Sequence, residues 1–286
     1  MSTYFSIAAL QLALEPSDNL SLLIAETKLA KLRFPWVDMV IYPELAVHGV
    51  SHAKAEPQGG DTENAFAKLA AELGIWLLPG SLYQRVDGVL RNVSPVINPA
   101  GEVVARYSKM FPFLPYEKGV EPGQAGVVFD VPDVGRFGVS ICYDMWFPET
   151  TRSLVCQGAE VILHPTLTNT VDRDVELSIA RANAAMNQVY FVDINAAGAL
   201  GVGQSCIVGP DGQWVHKASV AQEVITAELD LGHLRRCRER GSLTLGQPLK
   251  SFRDHKPEFP AYSESSHPAL DALGEMAVPS VSKPKC

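Results

Sequence analysis

The sequence predicts a mixed α/β fold in which most strands are buried and two halves follow a similar pattern. Three observations predict it. Short apolar runs are bounded by turn residues, and helical stripes at 3.6-residue spacing lie between them. In each half a strand–helix–strand–helix order gives way to strands joined by tight turns, with no sequence repeat behind it. With 286 residues, 47% hydrophobic and 20% charged, the chain has an ordinary globular composition. It is long enough to bury a substantial core without disulfides or metals.

Residues 4–12 (YFSIAALQL) have the continuous apolar character of a buried strand. Pro16-Ser17-Asp18 opens a helix whose stripe is Leu20, Leu23, Ile24, Thr27 and Leu29 through Leu32. Residues 39–42 (MVIY) form a second strand, stopped by Pro43. Asp61 caps a helix that runs to Leu73 on the face of Phe66, Leu69 and Ala70. Residues 76–83 and 89–98 are strands around Asp87-Gly88, a hairpin turn, and 102–107 follows the turn Pro99-Ala100-Gly101. After a Pro/Gly-rich stretch over 111–126, the pattern predicts a strand at 137–142, a helix at 148–158 and a strand at 160–163. An alanine-rich helix over 174–187 then sets Leu177, Ala180, Arg181 and Ala184 at helical spacing. Strands follow at 189–195, 204–208 and 224–229, with Pro210-Asp211-Gly212 as a turn. Residues 255–286 are rich in Pro, Ser and Lys and lack a period, so they are expected to form an extended or partly disordered tail to a domain over 1–254.

The formal net charge of −8 argues against a general nucleic-acid binder, which needs a basic face to neutralise phosphates. No stretch approaches the ~18 uninterrupted apolar residues of a bilayer span. Met1-Ser2-Thr3-Tyr4 lacks the basic-then-apolar layout of a secretory signal. The five cysteines (142, 156, 206, 237 and 286) are odd in number and contain no C-x-x-C pair, which is neither a disulfide framework nor a zinc site. A cytoplasmic protein with free thiols is expected. Cys156 and Cys206 read as small buried hydrophobes, Cys237 as a surface residue.

Three residues stand where chemistry is usually placed. Cys142 ends a strand and precedes a helix, and a thiol at such a turn lies near backbone N–H groups that favour thiolate. Glu44 directly follows a strand, where open α/β sheets place their sites, and desolvation there suits a carboxylate to general-base work. Lys109, flanked by apolar residues just after a strand, is placed to direct its ammonium inward to a developing oxyanion. Read singly, each is also compatible with a structural role: a buried thiol, a loop carboxylate, a snorkelling lysine.

Together they carry more. Pro43-Glu44, Tyr107-Ser108-Lys109-Met110 and Ile141-Cys142-Tyr143-Asp144-Met145 resemble, in order and spacing, the Glu–Lys–Cys triad of the nitrilase (carbon–nitrogen hydrolase) superfamily. The segment from Arg181 to Tyr190 resembles a later helix-to-strand segment of its amidases, and the resemblance covers about Tyr4 to Asp254. It implies an αββα sandwich of the nitrilase type, single-domain with a C-terminal extension, and homodimers or larger homo-oligomers paired through a helical layer. It also implies Cys142 as nucleophile, Glu44 as general base, and Lys109 with the Tyr143 N–H as oxyanion donors. A second glutamate eight residues after the lysine is implied too; that position is Glu117, with Glu121 as the fallback.

The resemblance implies cysteine-dependent hydrolysis of a linear amide to carboxylic acid and ammonia, with no metal and no organic cofactor, and with an N-carbamoyl amide hydrolase or a nitrilase as alternatives. Nitrilases resemble one another in a Cys-Trp-Glu sequence, whereas this chain has Cys142-Tyr143-Asp144. Where relatives acting on acidic substrates carry arginines, this chain has Met145 and Trp146, which cannot clamp an anion. A neutral or apolar amide is therefore expected, in a pocket lined by Tyr143, Met145, Trp146 and Tyr116. Arg173 is the one residue that would reverse this by binding a carboxylate. His48, His52, His164 and His216 are expected to be structural or pocket-lining. Two other classes compete. A nucleotide binder lacks both G-x-x-x-x-G-K-[ST] and G-x-G-x-x-G, since Gly198, Gly201 and Gly203 form a looser set. A non-catalytic scaffold of the same fold would have no need of Glu44, Lys109 and Cys142 together.

Overall fold

Strict alternation sorts the N-terminal strand onto two faces: Phe5, Ile7 and Ala9 fall in one apolar layer, Ala8 and Leu10 in another. Both faces are covered, so every residue from Phe5 to Gln11 is buried, the polar Ser6 and Gln11 among them. The computed structural model describes residues 4–255 and 257–278. Its first half runs β1 (Tyr4–Gln11), β2 (Ala13–Leu14), α1 (Leu20–Arg33), β3 (Met39–Ile41), β4 (Glu56–Pro57), α2 (Asp61–Leu73), β5 (Trp76–Leu78), β6 (Leu82–Val86), β7 (Val89–Ile97) and β8 (Val103–Ser108). The second runs β9 (Val127–Val131), β10 (Gly135–Val139), a 3-10 turn (Cys142–Trp146), α3 (Pro148–Cys156), β11 (Val161–Pro165), α4 (Arg173–Asn187) and β12 (Tyr190–Ile194). It continues through β13 (Ala197–Gly198), β14 (Cys206–Val208), β15 (Trp214–Lys217), β16 (Glu223–Asp230), α5 (Leu231–Arg240) and α6 (Pro248–Asp254).

One sheet has the order β16-β1-β3-β5-β7-β6-β4, with β8 also paired to β7; the other is β15-β14-β12-β11-β10-β9. In each, the strands joined by helices are parallel (β1, β3 and β5; β10, β11 and β12), and hairpin partners are antiparallel. The sheets face each other across Phe5, Ile41, Phe137, Val139, Leu163 and Val192, where Phe5 and Phe137 meet edge-on at 5.1 Å. Leu23, Ala30, Phe66 and Leu69 seat α1 and α2 on the first sheet. Leu154, Leu177, Ala184 and Phe191 seat α3 and α4 on the second. The result is the αββα sandwich that the resemblance to the nitrilase superfamily implies.

The departures have local causes. The run predicted as one strand over 76–83 is two strands, because Gly80 turns the chain with φ +67°. A Cβ at Gly80 would lie 1.7 Å from the Pro43 carbonyl oxygen, so only glycine lets this turn press against the segment that carries Glu44. Gly80→Ala is therefore expected to lower stability by roughly 2–4 kcal/mol from strain and overpacking together, read as a lower denaturant midpoint. Strands β9 and β15 and helix α5 were not predicted; half of α5 is charged, and only Leu231, Leu234 and Cys237 are buried. Cys237 is thus buried, not superficial, and Cys156, at the last residue of α3, is exposed, not buried. Cys206 is buried. Past α6 the described chain has two single helical turns, Pro260–Ser263 and Pro268–Asp271, and Tyr262 donates its hydroxyl to Glu149. Cys286 and the end of the predicted tail lie outside the described residues. Among the described residues no helix is long and apolar enough to cross a membrane.

Candidate active site

Segments just beyond the C-terminal ends of β3, β8, β10 and β11 converge on one cavity of about 230 Å³. Glu44, Lys109, Glu117 and Cys142 all line it. Lys109 Nζ donates to Glu44 Oε1 at 2.8 Å and to Glu117 Oε2 at 2.7 Å, with its own side chain only 1% exposed. A buried ammonium costs several kcal/mol of desolvation unless paired, and here two carboxylates compensate it. They hold its pKa well above the ordinary lysine value, against the pull of burial, so it stays charged.

The two glutamates differ in environment. Glu117 accepts from Lys109, from the Phe113 N–H at 2.7 Å and from the Tyr83 hydroxyl at 3.0 Å, and these donors depress its pKa. Glu44 is more deeply buried and faces Glu117. Burial first and that like charge second push its carboxyl above the usual range, although the Lys109 ammonium bonded to it pulls the other way. The Cys142 thiol is itself pushed well up by burial and by Glu44. At rest the proton belongs to sulfur and the acceptor beside it is Glu44.

Backbone geometry supports the arrangement. Cys142 has φ +46°, uncommon for a residue with a side chain, at the start of the 3-10 turn. Asp144 pins that turn: its carboxylate accepts from the Ile141 N–H (2.8 Å), the Phe111 N–H (2.9 Å) and the Tyr107 hydroxyl (2.7 Å). It thereby ties the cysteine turn to the segment carrying Lys109. Asn92, on β7, donates to Glu44 Oε1 at 2.8 Å and to Glu117 Oε1 at 3.2 Å. Its cross-strand neighbour is Tyr83, so one register position of the hairpin serves both carboxylates.

Asp144→Asn is expected to cost about 2–4 kcal/mol, because three donors would meet one carbonyl oxygen and an amide N–H₂. Burial pushes the Asp144 carboxyl up to about 6. Since this lies above the unfolded value, the stability tied to its proton is complete below the ordinary carboxylate range and is lost as pH rises through about 6. The variant should lose that slope in thermal melts run across pH.

The remaining expectations divide. Glu117, not Glu121, is the glutamate at Lys109; Glu121 is exposed. Tyr116 lines the cavity. Met145 does not: it packs with Leu154, Leu177 and Phe191 in the core between the second sheet and its helices, 1% exposed. Arg173 does not reach the cavity either, because Glu176 (3.0 Å) and Asp193 (2.7 Å) hold its guanidinium inside the fold. Trp146 and Tyr143 do not line it: their rings meet tilted at 6.2 Å outside the cavity, and Tyr143 packs against Phe113, whose ring does line it. His52 lines the cavity against Tyr83; His164 is fully buried, bonded to Ser140 Oγ at 2.7 Å, and burial lowers it to about 3, so it is neutral. His216 pairs with Glu223 on the surface.

Asn92, Tyr83 and Asp144 were not assigned from the sequence. Asp144 was within reach, since it stands inside the cysteine motif; Asn92 is one polar residue among several in its strand, beside Arg91 and Ser94, and nothing in the sequence singles it out.

The carbon-nitrogen hydrolase family profile matches residues 6–239. The chain is 30% identical over 201 residues to omega-amidase NIT2-A of Xenopus laevis, covering 65% of this chain and 72% of that one. Nit3 of Saccharomyces cerevisiae, of the nitrilase superfamily, superposes with a TM-score of 0.77 at 27% identity, over 86% of this chain and 97% of that one. A cysteine-to-alanine mutant of the amidase from Nesterenkonia sp. AN1, in complex with butyramide, superposes with a TM-score of 0.73 at 25% identity, over 82% of this chain and 94% of that one. With the profile spanning most of its length, this chain belongs to the carbon-nitrogen hydrolase family, in the amidase-like branch of the nitrilase superfamily.

Proposed function

We propose that this protein hydrolyses short, uncharged linear amides to a carboxylic acid and ammonia through a thioester on Cys142. The observation that carries the reading is the buried Lys109 ammonium, bonded to Glu44 and Glu117 in the wall that also holds Cys142. Neutral thiol, raised carboxylate and fixed cation make up a nucleophile, a base and an oxyanion partner.

Glu44 takes the proton from the Cys142 thiol as sulfur attacks the carbonyl carbon. The new C–S bond pushes the carbonyl electrons onto oxygen. Lys109 has three N–H donors, two of them used by the glutamates, and the third meets this oxyanion with the Tyr143 N–H. Each such contact is worth roughly 3–4 kcal/mol at the transition state. Protonated Glu44 returns its proton to the nitrogen, the C–N bond breaks and ammonia leaves. Water, deprotonated by Glu44, then attacks the thioester; the C–S bond breaks, the acid is released and the proton returns to sulfur. Glu117 keeps its charge throughout and holds Lys109 in place.

The cavity supports the substrate class. At about 230 Å³ it falls below the ~300–1,000 Å³ of sites for drug-sized ligands, which favours a small acyl group. Leu45, Val50, Phe113 and Leu167 give it apolar walls, and its lysine is already paired. The similar amidase bound to butyramide is consistent with such a substrate. Ammonia release should be measured over straight-chain primary amides, N-carbamoyl amines, half-amides of dicarboxylic acids and nitriles. The short primary amides are expected to give the highest kcat/KM. Turnover confined to carbamoyl or carboxylate-bearing compounds would contradict a pocket whose one lysine is already paired with two carboxylates.

A further inference from the structure

A second buried charge cluster adjoins the cavity and takes no part in the steps above. Arg173, Glu176 and Asp193 are 2%, 3% and 0% exposed. Arg173 Nη1 donates to Glu176 Oε2 at 3.0 Å, and its Nη2 donates to Asp193 Oδ2 at 2.7 Å and to the Gln204 carbonyl at 3.0 Å. The same Glu176 Oε2 accepts the Thr168 hydroxyl at 2.8 Å. Asn195 grips the Thr168 backbone from both sides: its Oδ1 accepts the N–H and its Nδ2 donates to the carbonyl, each at 2.9 Å. At the other end of this short segment, the Thr166 carbonyl accepts the Glu44 N–H at 3.2 Å. Between the two threonines stands Leu167. Its backbone N–H faces the Cys142 sulfur, and its side chain lines the cavity beside Cys142.

We propose that Glu176 is a positioning residue for the reaction: through the Thr168 hydroxyl it fixes segment 166–168, which holds the Leu167 N–H against the Cys142 sulfur. Arg173 and Asp193 keep the Glu176 carboxylate in place. The inference rests on the reading of Cys142 as nucleophile. A backbone N–H on sulfur favours the thiolate, and sulfur carries that charge twice, on losing its proton and on leaving the thioester. The tether therefore matters in both halves of the reaction.

Glu176 also acts on the thiol directly, in the opposite sense. Its negative charge disfavours a thiolate nearby. The charged groups facing Cys142 are Glu44 beyond β3, Lys109 beyond β8 and Glu176 on α4, while Arg173 and Asp193 face Glu176. His164 on β11 is neutral. Two substitutions separate the tether from the charge. Thr168→Val keeps the shape and the Glu176 charge but removes the donor. Glu176→Gln keeps an oxygen for Thr168 but removes the charge.

The full-length protein is tested by two measurements. One is the pH midpoint for iodoacetamide alkylation of Cys142, resolved by peptide mass so that exposed Cys156 does not contribute; the other is steady-state hydrolysis of butyramide. Thr168→Val is expected to move the alkylation midpoint upward and to lower kcat roughly 10-fold, as sub-ångström misplacement of a reacting group does. Glu176→Gln is expected to move the midpoint downward by roughly 0.5–1 pH unit. A purely structural cluster would lower the melting temperature and leave both midpoints and the kcat of the folded protein unchanged; that result overturns the proposal. If Glu176→Gln does not fold, the Thr168→Val midpoint and kcat decide. If wild type releases no ammonia from any amide while both midpoints move as stated, the functional reading fails and the positioning role stands.

Discussion

Cys142→Ala is expected to lower kcat for amide hydrolysis by on the order of 10⁶-fold, the scale on which loss of a covalent nucleophile is felt. The size follows from the route. Without sulfur there is no thioester, and the remaining oxyanion donors and binding contacts stabilise only a direct attack by water, for which the site is not shaped. Stability should change little, because one small, partly buried side chain is shortened and the turn is still pinned by Asp144. Substrate binding should persist, so butyramide should still protect the variant in a thermal-shift assay. A large fall in melting temperature together with the lost rate would point to a structural thiol instead.

Glu44→Gln is expected to lower kcat by about 10²–10⁴-fold, the usual contribution of a positioned general base. Glutamine keeps the size and can still accept from Lys109 and Asn92, so the lost function is proton transfer. The pH dependence distinguishes this from damage to the site. Burial and the nearby Glu117 charge raise the Glu44 carboxyl above the ordinary range, and the base must be ionised to work. The wild-type kcat/KM should therefore fall as pH drops through a value above that of a free carboxylate. The residual activity of Glu44→Gln should lack this limb. Lys109 is held protonated far above neutrality, so it should impose no loss between pH 7 and its ordinary range. A variant that keeps the acid limb would assign it to another group.

The sequence made the reactive residues legible because each follows a strand that is itself easy to read. MVIY before Pro43 and FGVSIC ending at Cys142 are short apolar runs with clear ends, and the motif order linked Glu44, Lys109 and Cys142. What surrounds them was less legible because it depends on register and rotation. Asn92 and Tyr83 serve Glu117 only because β6 and β7 pair them directly, which neither strand's own pattern reveals. Met145 was expected in the pocket because relatives acting on acidic substrates carry arginines there, but its side chain packs with Leu154, Leu177 and Phe191 in the core between the second sheet and its helices, a tertiary contact the local sequence does not reveal. Arg173 shows the same limit in electrostatic form. A lone arginine in a loop looks free until the fold brings Asp193 from β12 to meet it. Helix α5 escaped notice because its apolar stripe is three residues wide amid arginines.

The central claim is the covalent intermediate. Wild-type protein mixed with excess butyramide, quenched in acid within the first turnovers and mapped by peptide mass, should carry one acyl group on the peptide containing Cys142, sensitive to hydroxylamine as a thioester is. Cys142→Ala should carry none and release no ammonia above background. Ammonia released through those turnovers without any acyl group on Cys142, or an acyl group on another side chain, would contradict the account.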